Sequence, residues 1–298
     1  MTFSVIVPTY NRVALLKNTL ESLYRQDFSD FEIIVVNDGS TDGTDEYLKT
    51  IAAKKNIKYI QQINQGLAAT RSAGLQAASG TYVAFTDDDC VAPNDWLQRL
   101  YEIFQQQEAV CVGGACITGN PENPCAGAND MMQNYFKEVS NRNTEGVPFF
   151  TGNNVAYTRA VLEQVGGPDK RFRMGAEDRD LLYRVSMTGG KIVYAPSIAI
   201  QHFNDANFWK FLCHQYDFGK GSYLYYSVTA SSGRTPTAFS PSVYAGLFLH
   251  PFKSRSIGRA VVLFMLIVLA QAAVTAGYFT VWIAQHFFPP KNDTVLSI

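Results

Sequence analysis

Two short runs rich in Val and Ile, Phe3–Val7 and Glu32–Val36, enclose a segment in which Leu16, Leu20 and Leu23 recur at helical spacing. The unit then repeats. Residues 42–52 suit a helix, Ile57–Ile60 a strand, Leu67–Ala78 an Ala-rich helix and Thr81–Phe85 a further strand. Pro93 is placed to open a helix over 93–107, and Val110–Ile117 reads as another apolar strand. Strands separated by helices must be joined by crossovers, so neighbouring strands run the same way. The pattern predicts an α/β fold with a mainly parallel sheet covered by helices on both faces. No repeat of roughly 20–50 residues is present, which argues against a solenoid.

In such a sheet, ligands bind beyond the carboxyl ends of the strands. The first strand is followed by Pro8-Thr-Tyr-Asn-Arg12, the second by Asn37-Asp-Gly-Ser-Thr-Asp-Gly-Thr44 and the fourth by Thr86-Asp-Asp-Asp-Cys90. Polar, acidic and Gly-rich residues thus collect where a site is expected. The fingerprint G-x-G-x-x-G is absent, which weighs against a Rossmann dehydrogenase. Asp87, Asp88 and Asp89 are the sharpest feature. Consecutive carboxylates repel one another, and a divalent cation that favours oxygen ligands, Mg2+ or Mn2+, relieves that repulsion. Along an extended segment Asp87 and Asp89 point the same way and can share one ligand. The competing reading is a solvated acidic turn that caps the helix at Pro93.

Asp38 could accept hydrogen bonds from a base or ribose, or serve only as turn chemistry. Arg71 could reach a diphosphate with its fork of donors, or lie on the surface. Glu177 and Asp178 open a helix, where carboxylates are favoured electrostatically. The functional reading makes Asp178 a general base toward an acceptor hydroxyl. His202 closes the apolar strand Ile198-Ala-Ile-Gln-His-Phe203 and gains interest from the suspected metal.

Charge divides the chain. Residues 1–217 hold 19 of the 25 basic and 25 of the 26 acidic groups, a net of −6. Residues 218–259 hold five basic groups and no acidic one, and Ala260–Pro290 contains neither kind in 31 residues. The overall charge of −1 argues against a nucleic-acid binder acting through a global positive field. The pattern predicts an acidic soluble domain over 1–217, a basic, aromatic juxtamembrane segment over 218–259, a transmembrane helix over 260–288 and a short tail over 289–298. An oligomerisation helix is the alternative for the apolar run. Tyr223, Tyr225, Tyr226, Tyr244 and Phe248 are expected to lie against anionic headgroups. Lys253, Arg255 and Arg259 precede the run while Lys291 with Asp293 follows it, which places the enzyme domain in the cytoplasm. The N-terminus does not read as a signal peptide. The five Cys show no C-x-x-C spacing, so reduced thiols are expected.

These segments together resemble the family 2 glycosyltransferases, the inverting enzymes of the GT-A fold. Ser4-Val-Ile-Val-Pro-Thr-Tyr-Asn-Arg12, Val35-Val-Asn-Asp-Gly-Ser-Thr-Asp-Gly43, Asn64-Gln-Gly-Leu-Ala-Ala-Thr-Arg-Ser-Ala-Gly74, Phe85-Thr-Asp-Asp-Asp89 and Gly175-Ala-Glu-Asp-Arg-Asp-Leu181 come in that family's order. Gly166-Gly-Pro-Asp and Ile200-Gln-His-Phe also fit, and the resemblance covers residues 2–220. It implies a GT-A, Rossmann-like mixed sheet, mainly parallel and flanked by helices, plus C-terminal membrane-associated helices. It implies Pro8, Tyr10 and Asp38 in the nucleotide pocket and Arg71 approaching the nucleotide. Asp87 and Asp88 fall on the donor side and Asp89 on the metal, as a D-x-D motif. Asp178 matches the catalytic base, and Glu177, Trp96, Gly152, Asn153 and Asn154 fall at the acceptor. His202 completes the shell of Mn2+ or Mg2+.

No Q-x-x-R-W motif follows the Glu-Asp helix, so a single addition is expected rather than processive polymerisation. The implied partners are a nucleotide-sugar donor, a glycan or lipid-linked acceptor and membrane lipids, with a homo-oligomer left open. The implied setting is polysaccharide biosynthesis at the cell envelope, at the membrane and either single-pass or monotopic. Two rivals remain. A catalytically silent membrane subunit that binds nucleotide-sugar is opposed by the presence of Asp178 with the Asp triplet. A nucleotidyltransferase would carry a Gly-rich basic phosphate loop where Pro8-Thr-Tyr-Asn-Arg12 stands.

Overall fold

The computed structural model describes residues 1–53, 57–142, 149–173, 175–203, 207–233, 239–253 and 256–287. The expected tail over 289–298, with Lys291 and Asp293, lies outside the described residues, as does Arg255. The alternation becomes β1 (Phe3–Thr9), α1 (Val13–Tyr24), β2 (Phe31–Asn37), α2 (Thr44–Ala52), β3 (Ile57–Gln61), α3 (Leu67–Ala77) and β4 (Tyr82–Phe85). After these come β5 (Cys90–Val91), α4 (Trp96–Gln107), β6 (Ala109–Thr118), α5 (Pro124–Arg142), β7 (Val155–Thr158), α6 (Arg159–Val165), α7 (Glu177–Ser186) and β8 (Lys191–His202). Three further helices follow, α8 (Phe208–Ser231), α9 (Pro241–Leu249) and α10 (Ile257–Phe287). Helix α4 begins at Trp96 rather than Pro93, because the Pro93 carbonyl accepts from the Trp96 N–H at 3.1 Å and closes a turn first.

The sheet order is β3-β2-β1-β4-β7-β6-β8-β5. The first four of these strands are parallel, β7 runs antiparallel to both neighbours, and β6 and β8 are parallel again. Successive side chains point to opposite faces, so each strand feeds two cores. Phe3, Val5, Val7, Ile33 and Val35 pack with Leu16 and Leu20 of α1 and Trp96 of α4. Ile6, Ile34, Val36 and Phe85 pack with Leu162 of α6 and Leu181 of α7.

The register of β6 on β8 breaks between Gly114 and Ala115. Asn154 fills the break. Its Nδ2 donates to the carbonyls of Ala115 at 2.7 Å and Ile198 at 3.0 Å, and its Oδ1 accepts from Trp96 Nε1 at 3.0 Å.

A third layer covers the carboxyl ends of the strands. Cys125, Ala128 and Met132 of α5 pack on Leu263, Leu266 and Ile267 of α10. Helix α8 lies along the second half of α10. A Cβ at Gly219 would meet the Val274 carbonyl oxygen, and one at Gly277 the Tyr216 carbonyl oxygen, so glycine alone allows this approach. Tyr216 and Tyr223 donate to Thr280 and Gln285, each at 2.9 Å.

Helix α10 has 31 residues, and its most apolar 18-residue stretch has a mean hydropathy of 2.3, so it is long and apolar enough to cross a membrane. It is nevertheless docked to the domain from end to end, and only one strip, including Val261, Val262, Met265, Val268 and Leu269, is exposed. Two aromatics expected at headgroups are instead inside. Tyr225 is 1% exposed beneath the Arg179 guanidinium, 4.3 Å from its ring, and Tyr223 packs edge-on to Tyr278 at 5.2 Å. All five Cys are free thiols, with only Cys213 exposed.

Candidate active site

A cavity of about 1150 Å3 lies beyond the carboxyl ends of β1, β2 and β4, walled on the far side by α5, α8 and α10. All the expected site residues except Trp96 and Asn154 line it. Those two were expected at the acceptor. Both are 0% exposed and bonded to each other, so they brace the β6–β8 break and do not line the cavity.

Of the residues after β1, Pro8 is buried and Tyr10 is half exposed. Asp38 is held rigidly: Oδ1 accepts from Gln62 Nε2 at 2.6 Å and the Gln65 N–H at 2.9 Å, and Oδ2 accepts from the Gly66 N–H at 2.9 Å. Gly66 makes this possible with φ +88°, a conformation costly for any residue with a Cβ.

The acidic triplet is not extended. The Cys90 N–H donates to the Asp87 carbonyl at 3.2 Å, and this turn separates the carboxylates that alternation would have paired. Asp87 meets Arg71 Nη2 at 2.7 Å. Asp88 and Asp89 instead flank Arg12, whose Nη1 lies 3.3 Å from Asp88 Oδ1 and 2.9 Å from Asp89 Oδ2. Thr9 Oγ1 also donates to Asp88 at 2.7 Å. Burial pushes the Asp88 carboxyl up to about 7 despite Arg12.

His202 reaches this turn because β8 pairs with the two-residue β5, setting Cys90 opposite His202. Its Nε2 lies 3.5 Å from Asp89 Oδ2 and its Nδ1 lies 3.2 Å from Asp130 Oδ1. Burial alone would lower its pKa, but the Asp130 and Asp89 carboxylates push it up to about 11. This donor set fits a divalent cation. A carboxylate and an imidazole nitrogen converge, and the other ring nitrogen is oriented by a carboxylate, as in metal-bound histidines. Among the described residues no group of three or more ligating side chains converges. The remaining positions would fall to substrate phosphates and water, the usual habit of Mg2+.

Arg71 is 4% exposed and bridges the acidic turn to α7, with Nη1 2.7 Å from Glu177 Oε1 and Nη2 2.7 Å from Asp87 Oδ1. Gly152 leaves room for it, since a Cβ there would meet the guanidinium. The Gly152 N–H donates to Asp178 Oδ2 at 3.2 Å, and the Arg179 N–H donates to Oδ1 at 2.7 Å. Burial pushes the Asp178 carboxyl up, opposed chiefly by Arg71. Burial and the neighbouring Asp178 push Glu177 up to about 7. Asn153 accepts from Thr151 Oγ1 at 2.6 Å. Arg12, Asp130 and the α10 residues of the wall were not singled out from sequence. Only Arg12, inside the first loop motif, carried a signal that could have found it.

The sequence model described as glycosyl transferase family 2 matches residues 4–166. The chain belongs to this family. Its mixed sheet is that of the GT-A fold. Chondroitin synthase from Escherichia coli is 32% identical over 222 residues, covering 62% of this chain and 32% of that enzyme. The chain therefore spans about a third of that relative's length. A solved mannosyltransferase from Pyrobaculum calidifontis, in complex with GDP-Man and Mn2+, superposes with a TM-score of 0.64 at 21% identity, over 96% of this chain and 87% of the other. S. aureus TarS 1-349 in complex with UDP-GlcNAc gives 0.57 at 19% identity, over 98% and 93%.

Proposed function

We propose that this chain is an inverting, metal-dependent glycosyltransferase. It would move a sugar from a nucleotide-sugar, a UDP-sugar by default, to a hydroxyl of a glycan or lipid-linked precursor in one addition. The observation that carries this reading is a single cavity that joins Asp38 and the Asp87–Asp89 turn on one side to Asp178 on the other. Solved relatives of this fold hold GDP-Man with Mn2+ and UDP-GlcNAc, which supports the donor class.

Asp89 and His202 Nε2 would hold Mn2+ or Mg2+, which when bound neutralises charge on the leaving diphosphate. Asp38 takes the base, with Pro8 and Tyr10 shaping its pocket. Arg71 keeps Asp87 and Glu177 in place rather than offering a free charge. Asp178 receives the acceptor proton: its carboxylate is fixed by two backbone N–H groups, and burial raises its basicity. A single in-line displacement at the anomeric carbon inverts configuration. Gly152, Asn153 and Glu177 border the acceptor side.

Attachment at the cytoplasmic face of the membrane fits the exposed apolar strip of α10. Because α10 is docked to the domain along its length, monotopic attachment is favoured over a free-standing span.

The test is a thermal-shift panel of nucleotide-sugars with and without Mn2+, followed by transfer assays on Asp178→Asn. One donor should stabilise the protein only with metal, and the variant should keep that shift while losing transfer. Full transfer by Asp178→Asn would sink the base assignment.

A further inference from the structure

A nucleotide-sugar brings a diphosphate into a cavity already lined by carboxylates, and the charge on that diphosphate grows as the sugar leaves. The arginines at the acidic turn are committed to protein carboxylates. Arg71 holds Asp87 and Glu177, each at 2.7 Å, and Arg12 Nη1 sits between Asp88 and Asp89. A divalent cation on Asp89 and His202 meets part of the need. Helix α8 offers a further source of positive charge.

Lys210, His214, Phe218, Ser222 and Tyr226 all line the cavity. They recur every fourth residue, so they form one ridge of α8, about 24 Å long. Contacts along the ridge fix its direction. The His214 ring keeps accessible surface but is enclosed by the cavity walls, and that enclosure lowers its pKa. The Arg12 and His202 charges lower it further, against Asp217 and Asp89, so this end of the ridge lies in the field of the acidic turn. Gln215 beside it donates to Asn129 at 3.1 Å, next in the chain to the Asp130 that meets His202. In the middle, the Phe218 ring is 3.8 Å from where a Gly175 Cβ would stand, just before α7. At the far end, the Tyr226 ring lies 5.4 Å from the guanidinium of Arg179, the neighbour of Asp178. The ridge therefore runs from the acidic turn to the base. Backbone geometry anchors its near end: the Phe203 N–H donates to the Asp89 carbonyl at 2.8 Å, and α8 starts at Phe208. Lys210 stands one turn before His214, exposed, and among the described residues no acceptor meets its ammonium.

We infer that Lys210 and His214 bind the diphosphate of the donor, with Lys210 taking the charge that stays on the leaving phosphate. The inference rests on the transferase reading above and adds two residues that no sequence motif marked. On transfer, the bond from the anomeric carbon to the phosphate oxygen breaks and its electron pair stays on that oxygen. The acceptor oxygen bonds to the carbon, and its proton passes to Asp178. An ammonium held beside the departing oxygen gains strength as that charge appears. His214 adds an N–H donor without adding a second cation beside the metal.

The test is calorimetric titration of the full chain with UDP, GDP, ADP, CDP and dTDP and with the matching nucleosides, all with Mn2+. Lys210→Met should weaken whichever diphosphate binds by about tenfold, as expected for one lost charge-assisted hydrogen bond, and leave its nucleoside unchanged. Lys210→Arg should keep most of the affinity. His214→Phe should weaken the diphosphate more than His214→Gln, which retains an N–H. Reductive methylation of the wild type, mapped by mass spectrometry, should modify Lys210 and be blocked there by the diphosphate but not by the nucleoside. The exposed Lys49 should react equally in both. Wild-type affinity in Lys210→Met, or methylation of Lys210 indifferent to the bound diphosphate, overturns the inference. Equal loss for diphosphate and nucleoside overturns it too, because that marks a disturbed pocket rather than a missing contact. In each of these cases a diphosphate still binds the wild type, so the transferase reading stands. If none binds the wild type, that reading fails and the diphosphate contact with it.

Discussion

Replacing Arg71 with Met removes the strut between Asp87 and Glu177. The guanidinium is 4% exposed, its partner Glu177 5% and its partner Asp87 26%. Asp87 can recover water when the arginine goes, whereas Glu177 cannot, and its Oε2 already lacks a partner. Breaking a buried pair by deleting one member costs about 3–5 kcal/mol, because the survivor is left charged and unpaired. The loss should depend on pH. Burial and Asp178 already hold Glu177 up to about 7, with Arg71 opposing them, so the variant carries it higher. A carboxyl whose folded pKa lies above its ordinary 4.5 stabilises the fold fully below that value and loses the benefit as pH rises through the folded pKa. The deficit of Arg71→Met should therefore grow between about pH 6 and about pH 9. Urea unfolding of both proteins at both pH values measures it, provided the slope stays constant. Adding Glu177→Gln should restore most of the loss, since the charge that needs a partner is then gone. A deficit below about 1 kcal/mol, typical of an exposed pair, would refute the strut. So would a deficit indifferent to pH or to Glu177→Gln.

Other perturbations follow from the same geometry. Burial would raise the Glu32 carboxyl, but Lys58, Ser4 and Ser79 hold it down at about 2, below the ordinary 4.5. Its stabilisation is present above that ordinary value and fades as pH falls toward 2, by at most about 3 kcal/mol. Acid titration of Glu32→Gln should lack that step, and an unchanged profile would count against it. Gly277→Ala forces α8 from α10 and should cost about 1–3 kcal/mol in thermal unfolding. Gly258→Ala, where a Cβ meets nothing within 4 Å, should stabilise the same helix; equal effects would dismiss the close approach. Mn2+ with a saturating nucleotide-sugar should raise stability by about 2.7 kcal/mol at a hundredfold excess over Kd. Asp89→Asn and His202→Ala should each abolish most of that gain, and retention in both would remove them from the metal.

Much of the fold was legible because strand and helix periods are local. The Val- and Ile-rich runs of β1 and β2, and Leu16, Leu20 and Leu23 at helical spacing in α1, mark their own elements without knowledge of any partner. The carboxyl-end loops followed from that, and with them the position of Asp38 and the acidic triplet. The orientation of the three aspartates did not follow, because one backbone hydrogen bond from Cys90 turned the segment. Trp96 and Asn154 misled for a related reason: both are polar-capable residues near site motifs, yet each satisfies the other inside the β6–β8 break. Asp130 gave no signal, since its meaning lies wholly in the ring nitrogen it faces.

The sequence by itself determined the layered α/β sheet, the edge where chemistry belongs, the acidic character of that edge and the apolar nature of the last helix. Each is a property of neighbouring residues and needs only backbone geometry and composition. Tertiary structure alone decided that Arg71 closes on Glu177, 106 residues away, and that Asp130 meets Nδ1 of His202. It alone laid α10 across the cavity it was expected to leave behind. Charge pairing and burial depend on which distant segments the strand order makes adjacent, and no local pattern encodes that adjacency.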